Sequence, residues 1–302
     1  MTPQTQKSRI IGVQFGMLSP EEIRRNSVVE VVSRDTYATN SRPRVGGLFD
    51  PRMGVLDPGL ICPTDGKTYI DSPGYFGHIE LARPVLNAMH LKDILKILKS
   101  ICLRCSKLLL SKKDHMHALK MPASARWQYV LSNISKIKSC GEKHGEGCGC
   151  LVPKIEVEGM ATINAIYPTG EDAASSTIEV TPEMLIKIFK RISDDDVHFM
   201  GFSPVFSRPE WMIFTALPVA PPAVRPSVKH DAQTRSEDDM SHIYSNIIRT
   251  NLDLKAKLLK DDVDPRAVEG LTNVLQYFVA MLGNNKLRGS APMQQRSGRV
   301  LQ

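Results

Sequence analysis

The chain contains no uninterrupted run of about 18 apolar residues, which excludes a membrane-spanning helix. Its opening, MTPQTQKSRIIGV, lacks the apolar core of a secretory signal. A reducing compartment is therefore expected, and its 6 cysteines read as thiolate ligands rather than disulfides. Aromatics are scarce at 6%, and 20 prolines point to much irregular structure. The phosphate-binding P-loop, HExxH, GxSxG and GxGxxG patterns are all missing, so no nucleotide-cradling, metallohydrolase or serine-hydrolase site can be placed. The run Ser193-Asp194-Asp195-Asp196 follows a helix end and reads as a cap and solvated turn.

What remains is a chain of 302 residues, long enough for two compact units. Its hydrophobic content of 42% and charged content of 24% are those of a globular protein. The net charge of +7 is compatible with a polyanionic partner without requiring one. Ser19-Pro20-Glu21-Glu22 predicts a capped helix start, and Val28 to Val32 a β-branched strand. Residues 33–44 read as an exposed polar loop. Apolar spacing predicts helices through Leu91, Ile94, Leu95 and Leu98, and through Trp127, Val130, Leu131 and Ile134. Residues 154–166 read as a strand, followed by a polar turn. Later helices are expected from Thr181-Pro182-Glu183, from Ser236 with Asp238 and Asp239, and over Val268, Leu271, Leu275, Phe278 and Leu282 up to Gly283. His115 and His117 fall in a basic loop and read as solvent-exposed.

Cys102 and Cys105 form a C-x-x-C knuckle, and Cys140, Cys148 and Cys150 follow the second of these helices. Two such segments can supply the four soft ligands of a tetrahedral zinc site. The intervening GEKHGEGCG is too glycine-rich to hold a shape unaided, so metal binding would be coupled to its folding. Free buried thiols are the plainer alternative. After Glu269 the chain has no acidic residue, and residues 284–300 form a Gly/Ser/Pro/Gln-rich basic loop. Such a loop can neutralise phosphates without reading bases; a disordered tail is the alternative. Lysines and arginines also crowd residues 92–126, most simply as a solvated face.

The segment FSRPEWMIFTALPVAPPAVRPS, from Phe206 to Ser227, places an apolar run ahead of Pro218, Pro221, Pro222 and Pro226. The expectation is a strand that leaves the core and becomes a stiff polyproline-like arm. It resembles the largest subunit of DNA-directed RNA polymerase II. So do Val13-Gln14-Phe15-Gly16 with Leu18-Ser19-Pro20-Glu21-Glu22-Ile23-Arg24, and Gly46-Gly47-Leu48 running on to Gly54. Phe76-Gly77-His78-Ile79-Glu80-Leu81 and Gln295-Arg296-Ser297-Gly298-Arg299 continue the resemblance in order.

The resemblance implies an α+β fold with a helix-rich, zinc-stapled clamp head inserted in an irregular clamp core with projecting loops. The implied parts are clamp core 1–90, clamp head 91–213 and a return to the core over 214–302. A zipper loop falls at 33–44, a lid at 225–242 and a rudder at 284–300. The implied zinc ligands are Cys102, Cys105, Cys140 and Cys148, with Cys150 or His144 as substitutes for the last. A second family zinc site falls on Cys62, Asp65, Ser72 and Tyr75, which are mostly poor ligands; it is expected to be lost, with packing of Tyr75, Phe76 and Ile79 in its place. Cys62, Asp65, Asp71 and His78 form an alternative set.

Implied phosphate contacts are Arg225, Lys229 and Arg235 in the lid and Lys286, Arg288, Arg296 and Arg299 in the rudder. Expected partners are the second-largest polymerase subunit, other polymerase subunits, DNA and the RNA–DNA hybrid. The family's NADFDGD motif is absent, so Mg²⁺ chemistry would belong to the full polymerase and this chain alone would be inactive. The resemblance thus implies a fragment, split gene product or interrupted frame, nuclear by likeness, or cytoplasmic or in the virion for a viral member. Competing expectations are a stand-alone zinc-dependent nucleic-acid-binding module and a non-catalytic scaffold.

Overall fold

The computed structural model describes residues 9–38, 42–142, 145, 147–168, 176–230, 235–260, 264–287, 290–295 and 298–301. It is a mixed α+β structure with two hydrophobic cores joined by one long antiparallel strand pair. Helix α1 (Pro20–Asn26) starts as its capping box requires: Ser19 Oγ accepts from the Glu22 N–H at 3.1 Å, and Glu22 accepts from the Ser19 N–H at 3.0 Å. The apolar run after it is extended but belongs to no named strand. It lies beside the start of β1 (Gly77–Leu86), with the Val28 N–H donating to Phe76 and the Val31 N–H to His78.

The first core spans residues 86–213. Helix α2 (Leu91–Ser100) buries Ile94, Ile97 and Leu98, while Leu91 and Leu95 are only partly covered. Helix α3 (Ala123–Ile134) buries Val130 and Ile134 and sets Trp127 edge-on against Phe202, with ring centroids 5.2 Å apart. The expected strand over 154–166 is instead a hairpin. Strands β2 (Lys154–Glu158) and β3 (Thr162–Tyr167) pair antiparallel around Gly159 at φ 62°, and β4 (Ser176–Glu179) adds to β3. Alternating side chains continue through the turn, so periodicity alone could not locate it.

Helix α4 (Pro182–Lys190) buries Leu185, Ile188 and Phe189. The acidic run is not a solvated turn: it opens a short helix, α5 (Asp194–Phe199), capped by Ser193. Asp196 is buried there against Lys112 at 2.6 Å.

Strand β5 (Ile213–Val219) pairs with β1 from Leu86↔Ile213 to Gly77↔Val219. The proline segment is not a projecting rod. Pro218 lies within β5, which a two-stranded sheet permits because its other edge needs no donor. Pro221 and Pro222 are buried and lead into a short 3₁₀ turn. The arm beyond consists of β6 (Val228–Lys229) and β7 (Arg235–Ser236).

Helices α6 (Asp239–Leu258) and α7 (Pro265–Gly283) complete the second core with Ile243, Ile247, Leu275 and Val279. Asn251 and Gln276 each satisfy backbone groups of β1, at Ala82 and Glu80 and at Leu86 respectively. Among the described residues no helix is long and apolar enough to cross a membrane.

Candidate metal centre and loop anchors

Cys102 and Cys105 follow α2 on a tight turn. The Cys102 N–H donates to the Lys107 carbonyl at 2.9 Å, and the Ser106 N–H to the Cys102 carbonyl at 2.8 Å. Ser106 must adopt φ 60°, and its hydroxyl is buried without a hydrogen-bond partner. The second segment folds likewise: the Cys140 N–H donates to Cys150 at 2.8 Å and the Gly149 N–H returns to Cys140 at 3.0 Å. Gly147 presses so closely on this turn that a Cβ there would lie 2.2 Å from the Cys140 carbonyl oxygen. Gly141 and Gly147 therefore permit close backbone approach, which sequence composition alone reads as floppiness.

These turns bring the Sγ atoms of Cys102, Cys105, Cys140 and Cys148 within 4.8 Å of one another. Cys102 and Cys148 are 3.5 Å apart, and Cys105 and Cys140 3.6 Å. Zn–S bonds of about 2.3 Å in a tetrahedron require S···S edges of roughly 3.8 Å, so the cluster can close on such an ion with sulfur shifts of about 1 Å or less. Burial pushes the Cys102 and Cys140 thiols up. The Cys150 N–H, pointing at exposed Cys148, brings that thiol down to about 7. The cluster can hold a metal ion through four thiolates. Cys150 contributes its backbone N–H to this arrangement and is not in the thiol cluster, while His144 lies outside the described residues.

At the position of the family's second zinc site, expected to be lost, Asp65 occupies the middle of the loop. Its carboxylate accepts from Ser72 Oγ at 2.9 Å and from the Tyr75 hydroxyl at 3.1 Å. Burial pushes Asp65 up, but the Lys67 N–H, Ser72, the Cys62 thiol and Tyr75 outweigh it and hold the carboxyl below its ordinary value. The loop is thus tied by hydrogen bonds. Packing contributes through Ile79, whereas Phe76 is 52% exposed.

Two of the expected phosphate contacts, Arg225 and Arg235, are engaged by protein groups. Arg225 is fully buried; its Nε donates to Ala220 at 2.9 Å, Nη1 to Ser241 Oγ at 3.2 Å, and Nη2 to the Leu48 carbonyl. Burial lowers its pKa to about 10. Arg235 donates to both Asp57 carboxylate oxygens, at 3.0 and 2.9 Å. Both cations are spent on protein groups, because the arm's base is inside the fold rather than beyond it. Arg299 pairs with Asp239 at 2.7 Å and stays half exposed, and Lys286 is exposed. The side chain of Lys229, and all of Arg288 and Arg296, lie outside the described residues.

Two further basic-region residues differ from expectation. His115 is half-buried with Nδ1 2.7 Å from the Tyr129 hydroxyl, and Arg126 is buried with Nε unpartnered.

A family model described as RNA polymerase Rpb1, domain 1, matches residues 7–302. The chain belongs to that family. Its relatives include the DNA-directed RNA polymerase subunit Rpo1N of Sulfolobus acidocaldarius, 36% identical over 97% of this chain and 33% of that protein. Rpo1N of Methanocaldococcus jannaschii is 37% identical over 96% of this chain and 21% of its own length. The DNA-directed RNA polymerase II subunit RPB1 of Euplotoides octocarinatus is 37% identical over 95% of this chain and 61% of that protein. The chain therefore spans less than two thirds of each of these relatives.

Proposed function

We propose that this chain forms the clamp portion of the largest subunit of a DNA-dependent RNA polymerase and contributes to transcription by closing over DNA and the RNA–DNA hybrid. The observation that carries the reading is the collinear family match over residues 7–302. In this reading residues 91–213 are the clamp head, and residues 1–90 with 214–302 the clamp core, a division supported by the two separate apolar cores. Zinc would be held by Cys102, Cys105, Cys140 and Cys148, tying the knuckle after α2 to the glycine-rich loop and supplying structural rigidity only. Residues 33–44, 225–242 and 284–300 act as zipper, lid and rudder. Lys229, Lys286, Arg288, Arg296 and Arg299 are the proposed phosphate contacts, while Arg225 and Arg235 are not.

Nucleotidyl transfer and its Mg²⁺ belong to the assembled enzyme, in a nuclear polymerase. The second-largest subunit is the proposed partner. Ile10, Ile11, Val13 and Phe15 support a partner chain, because they leave an extended apolar segment in water, with Ile11 99% and Phe15 93% exposed. Co-expression with that subunit tests the reading. A stable complex that incorporates nucleotides once the remaining polymerase chains are added is expected. A chain that stays alone yet binds DNA with steep salt dependence would instead support a stand-alone module.

A further inference from the structure

Residues 33–44 and the arm of β6 and β7 are far apart in sequence yet share one side-chain cluster. The Arg235 guanidinium lies 4.3 Å over the Tyr37 ring, and its Nη1 donates to the Tyr37 hydroxyl at 2.9 Å and to Ser227 Oγ at 3.3 Å. Its Nη2 grips both oxygens of Asp57. Thr36 Oγ1 donates to Glu237 at 2.6 Å. The cluster continues inward as a ladder: Tyr37 stacks on Phe49 at 5.5 Å, and Arg225 lies 5.1 Å over Phe49 and 5.8 Å over Tyr244 of α6. One guanidinium nitrogen shared between both carboxylate oxygens, on an arginine side chain only 15% exposed, is less open to solvent than an ordinary surface ion pair.

We infer that Tyr37, Asp57 and Arg235 form a latch that fixes the 33–44 loop and the base of the arm as one unit. They act as positioning residues for the nucleic-acid strands those loops hold. The functional half of this statement rests on the reading above; the mechanical half does not. Bound this way, the described parts of the two loops form one fixed edge, and strand placement by one loop depends on residues of the other.

Amide hydrogen exchange on the whole chain, without nucleic acid, tests the latch independently of any polymerase activity. The Ala38 and Arg44 amides, bonded to Arg42 and Thr36 carbonyls at 2.8 and 3.0 Å, report on the first loop, and the β6–β7 pair reports on the arm. Asp57→Asn and Arg235→Lys should each raise exchange about tenfold in both loops together, with the knuckle at Cys102 unchanged. Exchanging the charges, Asp57→Arg with Arg235→Asp, should recover part of the protection in both. Tyr37→Phe, which removes only a hydroxyl, provides a mild variant should the others unfold. A rise confined to one of the two loops in any of these variants overturns the latch.

Discussion

The turns at Cys62 and Cys102 share a backbone and differ in what closes them. In each, the cysteine N–H donates to the carbonyl five residues on, Lys67 or Lys107, at 2.9 Å. In each, the residue after the fourth position donates back at 2.8 Å, from Gly66 or Ser106, with φ at 71° or 60°. The Cys102 turn meets a second cysteine segment and gathers four thiols. The Cys62 turn meets Ser72 and Tyr75, whose hydroxyls converge on Asp65. One frame thus serves either a thiol cluster that can hold a metal or a carboxylate at its centre. The backbone hydrogen bonds are set by the turn itself, and the closing group can change without altering it.

The largest expected effect comes from removing the metal-capable closure. Cys102→Ser or a strong chelator should abolish bound zinc and destabilise the first core by on the order of 5 kcal/mol or more, read by zinc content and thermal unfolding. The Cys62 turn should keep its amide protection under the same treatment. If both turns loosen together, their separate closure is wrong.

Next in size is conversion of one turn into the other. Combining Asp65→Cys, Ser72→Cys and Tyr75→His with native Cys62 should raise zinc from about one to about two ions per chain. Failure to gain an ion would mean that the two frames are not equivalent. A gain in stability is expected from Ser106→Gly, which relieves a positive φ and removes a buried, unpartnered hydroxyl; about 1–2 kcal/mol should appear as a raised unfolding midpoint.

The smallest effect is at Asp65. Because its folded-state pKa is lowered, its contribution is intact above the ordinary value of 3.8 and is lost as pH falls through the folded value. Asp65→Ala should raise amide exchange around Ser72 and Tyr75 several-fold at neutral pH and remove this acid sensitivity. Unchanged exchange would show the carboxylate to be incidental.

Much of this could be read in advance where local chemistry decides the outcome. The Ser19–Glu22 capping box, the apolar face of α4 and the C-x-x-C turn depend on residues within a few positions and appear as local rules require, while the face of α2 is turned to bury Ile97 more fully than Leu91 or Leu95. The four thiols also converge, since each knuckle turn aims its two cysteines toward one side. What escaped depends on distant partners. Arg225 and Arg235 look like phosphate ligands until Leu48, Phe49, Asp57 and Tyr37 are found beside them. Pro218 looks like a rod former until β1 supplies its one neighbour. Asp196 looks like surface until Lys112 reaches it.

Zinc X-ray absorption on the purified chain, together with metal content, addresses the pairing of the two turns most directly. One ion per chain with four sulfur neighbours at about 2.3 Å is expected. A shell containing oxygen or nitrogen, or two ions in the unaltered chain, would contradict it.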